Sequence, residues 1–502
     1  MIERSIGYQY LIETYDLAVC ELFVKSYLTS ESQRKIIKKD DFFAIMYPRS
    51  RLSIANTWQS NLLFAIRYEG VNLEVLKAFF GTLGTHEMMA FVNEHPTGAR
   101  HRRLWLLYEQ LTGKKLDLPD AHTGNYVNLV DGTLQLALPE RTATRERRYR
   151  VKNNLVGNFQ FSPMVRLTDD IKSMSGEKLK ESSDKLLEKY PPELIYRAVQ
   201  YMFVKETRSS FAIERETPSQ KRMDAFLAIL RDVPHEAISE ALLASIQNRI
   251  VDERYAQRGW RTDQVYVGET MTPGHEKVHF IGVRPKDLVS IMNDFLWMVN
   301  RRLENGDIDS VVMAAIVSFA FVFIHPFDDG NGRLHRYLMH SVLSRLGFTP
   351  QNFIFPISAV LLKKVADYDH MLESFSRRLM KVINYEIDDK GELEVLCESL
   401  DYYRYIDYTP IVCRFQRMMA ETITTEWKLE LDYLKAYDEI RKGMREIVDM
   451  PDKKANQFIL FVRNNNGVLS KSKRDKFSEL TNDEVHALEQ VINRAIKAIS
   501  ES

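Results

Sequence analysis

One short segment, HPFDDGNGRLHR from His325 to Arg336, combines side chains that suit proton transfer and anion binding. Histidine titrates near neutrality, so His325 is the natural general base for a hydroxyl nucleophile. Arg333 and Arg336 are three residues apart and therefore share one face of a helix. Two guanidinium groups on one face suit a polyphosphate better than a single carboxylate. The segment predicts a base beside a phosphate-binding site.

The turn between the histidine and the arginines has the composition of an anion site. Helical periodicity resumes at Leu334, so Gly330, Asn331 and Gly332 lie at or just before a helix N-terminus. Free N–H groups point outward there, the helix dipole favours an anion, and glycine lets a phosphate approach the backbone. A carboxylate beside a polyphosphate would repel it, so Asp329 is expected to hold a magnesium ion that bridges the phosphates.

An apolar helix, predicted over Ser310 to Ile324, leads directly into this turn. It is apolar on nearly every face and is expected to be buried, which would hold the turn rigidly. Between Asp263 and Gly282, two short β-branched stretches flank a turn with Pro273 and Gly274, which predicts a hairpin inserted into a helical domain. Other helices of this domain are predicted over Leu194–Thr207, Lys221–Leu230, Ser239–Gln257, Pro285–Arg302, Gly332–Leu346 and Lys363–Asn384.

The run HPFDDGNGR, from His325 to Arg333, resembles the signature of the Fic family, and Arg336 stands where the family has its second arginine. The resemblance implies a mainly α fold with an inserted hairpin flap. It also implies a protein adenylyltransferase that moves AMP from ATP to a protein hydroxyl with the help of Mg²⁺. In that family pattern, His325 would deprotonate the target, Phe327 would anchor the loop in the core, and Asp329 would hold the metal.

The same resemblance assigns the phosphates. Asn331, the adjacent amides of Gly330 and Gly332, and Arg333 would bind the α- and β-phosphates. Arg336 would contact the γ-phosphate.

Two further segments resemble family elements. The hairpin at 263–282 stands where Fic proteins carry a flap that aligns an extended target segment by strand addition. The helix that begins at Lys363 resembles the segment that closes over the nucleotide base, so Tyr368 is the candidate adenine contact. Asp369 follows it where relatives often have a second tyrosine, and a tyrosine packed in the core is the alternative interpretation.

Upstream, the run SSFAIERE resembles the inhibitory motif of self-inhibited Fic proteins, a Ser or Thr with a Glu four residues later. This spacing places Ser210 and Glu214 on one helical face. A carboxylate delivered to Arg336 would occupy the guanidinium that the γ-phosphate needs. Relatives usually have Gly or Asn after this Glu, whereas this chain has Arg215. The alternative is an ordinary helix with Glu214 and Glu216 facing solvent.

Three other functions compete with AMP transfer. A Doc-like phosphotransferase would move the γ-phosphate, but that group typically has Ala and Lys where this chain has Gly330 and Gly332. Removal of AMP from a modified protein is a second candidate, because Glu214 would be able to activate water. A DNA-binding regulator with a silenced Fic core is a third, and an intact set of catalytic residues argues against it.

Length and composition limit the remaining functions. The chain has 502 residues, which suggests several packing units, and equal numbers of basic and acidic residues, 69 each. Without a net field, any binding to nucleic acid or membrane would have to be local. Three cysteines without paired spacing argue against disulfides and structural zinc. No signal peptide or membrane span is predicted, so a cytoplasmic protein is expected, with ATP and a protein target as its partners.

Four regions are predicted along the chain. Residues 1–171 form a helical region with a hairpin around Asp131-Gly132, 172–192 a linker or an exposed helix, 193–385 the Fic domain, and 386–502 a helical module.

Two basic stretches leave alternatives open. The basic run Arg141–Lys152 is interpreted as a solvated segment rather than a nucleic-acid or partner contact. The C-terminal module is either a winged-helix or helix-turn-helix unit or a stalk for homodimerisation. Four basic residues lie between its helices, namely Lys471, Lys473, Arg474 and Lys476.

Overall fold

The computed structural model describes residues 2–38, 42–272 and 275–501, and helices dominate it. The mainly α prediction is confirmed. The strands are β1 Ile2–Ile6, β2 Val24–Thr29, β3 Lys35–Lys38, β4 Phe43–Pro48, β5 Val127–Asn128, β6 Thr144–Glu146, β7 Val151–Asn153, β8 Tyr266–Thr272, β9 His275–Ile281, β10 Tyr385–Ile387 and β11 Leu393–Val395. The α-helices are α1 Tyr8–Tyr15, α2 Trp58–Phe64, α3 Leu73–Thr82, α4 Thr85–Glu94, α5 Ala99–Thr112, α6 Asp169–Ser173, α7 Gly176–Leu187, α8 Pro192–Ile213, α9 Gln220–Arg231, α10 Glu240–Ile250, α11 Pro285–Asn305, α12 Ser310–Ile324, α13 Asn331–Arg345, α14 Ile357–Lys363, α15 Val365–Leu379, α16 Leu400–Arg404, α17 Thr409–Glu421, α18 Lys428–Ile447, α19 Asp452–Asn464 and α20 Asn482–Glu501.

The beginning of the chain departs from the helical prediction. β1 to β4 form a sheet in the order β1-β2-β4-β3, in which β2 and β4 run parallel and the other pairs antiparallel. Each of these strands has at most six residues, which is too short for local periodicity to reveal it. Helices α2 to α5 then pack a separate core around Phe79, Phe80 and Trp105.

The predicted hairpin around Asp131-Gly132 is wrong. β5 pairs with β7 in parallel, and Asp131 instead accepts a hydrogen bond from Thr133 N at 2.9 Å in a local turn. The Asn154 side chain accepts from Val130 N at 2.8 Å and donates to Val130 O at 3.0 Å. It therefore occupies the backbone groups that a hairpin ladder would need.

The basic run Arg141–Lys152 is ordered and stays largely solvent-accessible, with Arg141, Arg145 and Arg147 exposed. It folds into β6, a 3₁₀ turn and β7. Within the run, Arg148 forms ion pairs with Glu109 at 3.0 Å and Asp120 at 2.8 Å. These carboxylates offset part of the positive charge of the run.

The stretch 172–192, predicted as a linker or an exposed helix, is mostly helix α7, which buries Leu179 in the main core. Gly176 N donates to Asp309 Oδ2 at 2.6 Å, so the start of α7 meets the start of α12. The polar composition reflects only the outer face of an amphipathic helix.

Helix α12 is the centre of the main core. Every residue from Val311 to Ile324 is buried, as the sequence predicts. The Asp309 side chain caps the helix by accepting from Val311 N and Val312 N at 3.0 Å each. Helices α11, α13 and α17 pack against α12, and the core continues to Leu431. The main core therefore runs across the predicted domain boundary at 385/386.

The predicted hairpin is confirmed as β8 and β9. They pair antiparallel, beginning with Tyr266 opposite Ile281. Its predicted turn at Pro273 and Gly274 lies outside the described residues. Val283 N donates to Ile324 O at 3.3 Å, which ties the exit of the flap to the end of α12.

Helices α18 to α20 pack a small core of their own that includes Phe458, Phe477 and Leu488. The predicted capping box is present, since Thr481 N donates to Glu484 Oε2 at 2.7 Å and Glu484 N to Thr481 Oγ1 at 3.2 Å.

The described residues from 396 to 501 contain no strand, so they hold no wing. Of the four basic residues noted there, Lys473 and Lys476 lie over the Phe461 ring, 5.3 and 5.4 Å from its centroid. Arg474 donates to Leu480 O at 2.5 Å. Among the described residues, no helix combines the length and apolarity that crossing a bilayer would require.

The burial of α7 gives a stability prediction. Leu179→Ala should lower the free energy of unfolding by about 2–5 kcal/mol, because it leaves a cavity in the main core. Glu181→Ala on the exposed face of the same helix is the matched control and should stay within about 0.5 kcal/mol. Chemical denaturation followed by circular dichroism measures both. Equal effects of the two changes would contradict the placement of α7 in the core.

Candidate active site

His325 is the residue at which α12 ends. Its backbone is left-handed, with φ of 56°, so the chain turns sharply away from the helix. The ring is half-buried and its Nδ1 lies 3.1 Å from Val322 O. A carbonyl only accepts, so Nδ1 carries the hydrogen and Nε2 keeps its lone pair. Desolvation lowers the pKa of His325 to about 4, which leaves the imidazole neutral at neutral pH.

The loop after His325 is held by two side chains. Phe327 is fully buried, with its ring centroid 5.2 Å from that of Trp260, so it anchors the loop as expected. Asn331 Oδ1 accepts from Phe327 N at 3.1 Å, and Asn331 Nδ2 donates to Phe327 O at 2.6 Å. The Asn331 side chain is thus used to close the loop, so the contact predicted between Asn331 and phosphate would have to come from its main-chain N–H.

The two glycines of the loop fill positions that a side chain would block. Gly330 has φ of 90°, and a Cβ there would lie 2.9 Å from Val251 Cγ1. At Gly332, in the first turn of α13, a Cβ would lie 2.1 Å from Glu214 Oε1. The first N–H groups of a helix have no partner within it. A carboxylate therefore already lies at the helix N-terminus predicted to bind an anion.

Arg336 receives that carboxylate. Its guanidinium is fully buried, with Nη2 2.8 Å from Glu214 Oε1. Nε donates to Ser210 Oγ at 2.7 Å, and Nη2 donates to Ser210 O at 2.8 Å. Within the described part of the chain, Nη1 has no hydrogen-bond partner. The structure therefore brings together the three residues that the sequence singled out at the ends of α8 and α13.

Arg215 explains how α8 delivers Glu214. It has φ of 56°, the left-handed conformation in which Gly and Asn are most at ease. Arg215 N donates to Ala212 O at 3.0 Å, and Glu216 N donates to Phe211 O at 3.2 Å, which closes the helix end. The departure from the Gly or Asn of relatives is thus accommodated with some backbone strain.

Arg333 is held by a residue to which the sequence gave no role. Its terminal nitrogens lie 3.0 Å from the carboxylate oxygens of Glu216. Nη1 also donates to Ile250 O at 2.9 Å, and Nη2 to Asp329 Oδ1 at 2.8 Å. Glu216 does not face solvent, because a left-handed turn precedes it, and helical spacing alone would not show that turn.

Asp329 lies at the mouth of the loop, with 40% of its side chain exposed. Its Oδ1 accepts from Gly330 N at 2.6 Å as well as from Arg333. In the described chain, no group of three or more His, Cys, Asp or Glu residues is arranged to hold a metal. Mg²⁺ is commonly held by one or two carboxylates together with substrate phosphates, so a single exposed Asp329 fits a metal that arrives with a triphosphate.

Arg261 is a second residue that the sequence analysis missed. It is buried, yet its hydrogen bonds go to main-chain carbonyls. Its Nε donates to His325 O at 2.7 Å, its Nη1 to Asp263 O at 2.5 Å, and its main-chain N to Pro326 O at 2.9 Å. Burial lowers the pKa of Arg261 to about 10, which keeps the side chain charged at neutral pH. Arg261 therefore joins the base of the hairpin to the loop that begins at His325.

Two glutamines from α10 and the segment after it complete the support of the loop. Gln257 Nε2 donates to Asp328 Oδ2 at 2.6 Å, and Asp328 N donates to Gln257 Oε1 at 2.9 Å. The buried Gln247 donates to Asp329 O at 3.2 Å. The sequence gives no local signal for either glutamine, because each contacts a loop that lies far from it along the chain.

Tyr368 lies on α15 and stacks against His335 of α13. Only 7% of the residue is exposed, and its hydroxyl is 3.3 Å from His335 Nδ1. Desolvation raises the pKa of Tyr368 to about 12, so the phenol stays protonated. This conformation matches the core alternative. Adenine contact stays a prediction, and it requires the ring to become exposed.

The backbone strain at Arg215 predicts the direction in which a glycine at this position changes the free energy of unfolding. Arg215→Gly should raise the free energy of unfolding by about 0.5–1 kcal/mol, because relief of the left-handed strain exceeds the entropy cost of glycine. Arg208→Gly, at an exposed position within α8, is the control and should lower it by about 1 kcal/mol. Thermal unfolding monitored by circular dichroism measures both. A loss of stability at position 215 would refute the account of the helix end.

Comparisons with known proteins agree with this geometry. Residues 237–343, which run from just before α10 to near the end of α13, match the Fic/DOC family model. The chain is similar to a protein named protein adenylyltransferase Fic from Drosophila mojavensis, with 38% identity over 91 residues, 18% of this chain and 16% of that protein. The protein of the same name from Nematostella vectensis is 36% identical over 92 residues, 18% of this chain and 19% of that protein.

One solved structure, a Fic domain containing signaling protein from Bacteroides thetaiotaomicron, aligns with a TM-score of 0.37 and 18% identity over 53% of this chain and 97% of that one. The alignments with the two adenylyltransferases span less than a fifth of either relative's length, at 16% and 19%. Ser210, Glu214 and Glu216 lie before the first residue of the family match at 237–343. On the loop geometry and this match, residues 237–343 are a Fic domain.

Proposed function

We propose that the chain is a protein adenylyltransferase, which transfers AMP from ATP to a hydroxyl side chain of a protein and is restrained by Glu214. The observation that carries the proposal is the juxtaposition of a neutral His325 with a helix N-terminus and two buried arginines. The similarity to proteins named adenylyltransferases supports the same reaction.

The reaction follows from the placement of these groups. His325 Nε2, with its lone pair free, accepts the proton of the target hydroxyl. The oxygen attacks the α-phosphorus of ATP, a P–O bond forms, and the bond to the β-phosphate oxygen breaks. Pyrophosphate leaves with that electron pair. Arg333, Arg336 and the first N–H groups of α13 offset the charge on the phosphates. Mg²⁺ held by Asp329 would neutralise further phosphate charge.

Glu214 opposes this arrangement electrostatically. It occupies Nη2 of Arg336 and lies against Gly332, where the phosphates would approach α13. A charge-assisted hydrogen bond to a buried group contributes about 1.5–3 kcal/mol, which corresponds to roughly 10- to 100-fold in an equilibrium. The γ-phosphate has to displace the carboxylate before it can bind Arg336. The side chain is 34% exposed, so it has room to leave.

The target is proposed to bind as an extended segment beside the flap. β8 carries the exposed apolar residues Val267 and Met271, and the Phe280 ring of β9 lies 6.3 Å from the His325 ring. A strand added to this hairpin would place its hydroxyl near the imidazole. Removal of AMP from a modified protein is the second candidate, because the engaged Glu214 carboxylate is near the site where a water would attack.

Labelling with ATP tests the reaction. Glu214→Gly should raise incorporation of label from α-³²P-ATP into the protein itself by at least about tenfold, because Arg336 becomes available. Glu193→Gly, an exposed position on the same helix, is the control and should leave labelling unchanged. His325→Ala should abolish labelling in either background.

Two outcomes would decide against the proposal. Label from γ-³²P-ATP instead of the α-form would indicate transfer of the terminal phosphate. Equal labelling by the unaltered chain and the Glu214 variant would remove Glu214 from the account, and release of AMP from a pre-modified protein would favour the second candidate.

The pH dependence follows from His325. The protonated imidazole cannot accept the proton of the hydroxyl, so activity is lost as pH falls through the pKa of about 4. In Glu214→Gly, transfer should stay constant from pH 8 to about pH 5, whereas an ordinary histidine loses half its effect near pH 6.5. Removal of the Glu214 charge lowers this pKa further. Initial rates over this range, with circular dichroism to confirm folding, measure it. A midpoint between pH 6 and 7 would contradict the assignment.

A further inference from the structure

We propose that Glu216 is a second inhibitory carboxylate, which holds Arg333 while Glu214 holds Arg336. ATP would then have to displace both carboxylates of one turn. This inference rests on the proposed function for its consequence, because it assigns the regulation of the same nucleotide site. The contacts that carry it are independent of the Glu214 contact.

Glu216 grips Arg333 with both of its oxygens. Oε1 lies 3.0 Å from Nη2 and Oε2 lies 3.0 Å from Nη1, which is a bidentate pair. Only 2% of the Arg333 side chain is exposed, against 30% of Glu216. A pair with one fully buried partner is screened less than a surface ion pair. The interaction is therefore strong enough to compete with a phosphate.

The remaining acceptors around Arg333 show which one has to leave. Ile250 O on Nη1 is main chain, and Asp329 on Nη2 belongs to the phosphate loop itself. With Glu216, each terminal nitrogen faces two acceptors and so has no N–H left for a ligand. Glu216 is the acceptor that lies outside the phosphate loop and α10. It can withdraw without unfolding either of them.

The two carboxylates are joined by a short, strained turn. Arg215 lies between them in the left-handed conformation, and the main-chain bond from Glu216 N to Phe211 O is 3.2 Å. The Phe211 ring lies 5.7 Å from the Arg333 guanidinium carbon, so the same turn also covers Arg333. A shift of the helix end would therefore move both carboxylates relative to Arg333 and Arg336.

Arg222 of α9 offers Glu216 a second partner. Its Nη2 donates to Glu216 Oε2 at 2.7 Å, and it also donates to Ile250 O at 2.9 and 3.0 Å. Arg222 can therefore retain Glu216 when Arg333 binds phosphate. This arrangement lets the inhibitory contact open without leaving an unpaired carboxylate.

The opposite role would be that Glu216 orients Arg333 for the phosphates. The two roles predict changes of opposite sign in ATP affinity. If Glu216 inhibits, loss of its charge frees Nη1 and Nη2 and tightens ATP binding. If it orients, loss of its charge weakens binding.

The test measures ATP binding in the full chain with His325→Ala, in which turnover is removed. Equilibrium dialysis with ATP and Mg²⁺ compares Glu216→Gln, Glu214→Gly and the double change. We expect Glu216→Gln to lower the Kd for ATP by about tenfold and to add to the effect of Glu214→Gly. Glu253→Gln, which removes an exposed ion pair with Lys221 at 3.0 Å, is the matched control and should leave Kd unchanged.

A second variant and a second measurement distinguish the inference from poor folding and from failure of the proposed function. Glu216→Asp keeps the charge but shortens the reach, so its Kd should fall below that of the chain with Glu216 intact and above that of Glu216→Gln. This variant carries the test even if Glu216→Gln folds poorly. An unchanged or higher Kd in the variants with a normal melting temperature would overturn the inference. Tighter ATP binding by these variants, with no AMP transfer when His325 is restored, would leave the inference standing and reject the proposed function instead.

Discussion

Helix α12 determines the position of the site because all of its faces are apolar and buried. Every residue from Val311 to Ile324 is buried, so neighbouring helices surround it on all sides. The chain that leaves it has to turn at once, and His325 does so in a left-handed conformation. Phe327 then returns to the core, and Asn331 closes the loop through the Phe327 backbone. The loop geometry is therefore set by packing before a ligand arrives, which is the preorganisation that phosphate chemistry needs.

Charge balance is the second constraint. Arg333 and Arg336 are buried cations, and a buried charge without a partner destabilises a fold by several kcal/mol. Glu214 and Glu216 act as their counter-ions in this conformation, so the two groups proposed to obstruct a nucleotide also stabilise the protein. A triphosphate would bring its own negative charge and replace them. The proposed inhibition and the stability would thus be coupled through the same contacts, whereas Arg261 depends on carbonyl groups alone and would be unaffected by that exchange.

Sequence reasoning succeeded where the chemistry is local. The loop from His325 to Arg336 could be predicted because its residues are consecutive and their spacing sets which of them share a face. It missed Glu216 because the role of that residue depends on the positive φ of Arg215, which helical spacing conceals. The hairpin expected at Asp131 failed because Asn154, a distant side chain, takes the main-chain groups that the ladder needed. The N-terminal sheet was missed because its strands are short and because β2 pairs with β4 rather than with β3, the next strand in the chain.

Gly332 shows how closely restraint and substrate binding are linked. The space that its missing β-carbon leaves is filled by Glu214 Oε1, at a distance of 2.1 Å from where that carbon would lie. The same space is where a phosphate would approach the N–H groups of α13. A methyl group at this position would exclude carboxylate and nucleotide alike. A larger residue at position 332 would therefore remove the proposed restraint only together with the proposed nucleotide site, whereas a change at Glu214 would remove the restraint alone.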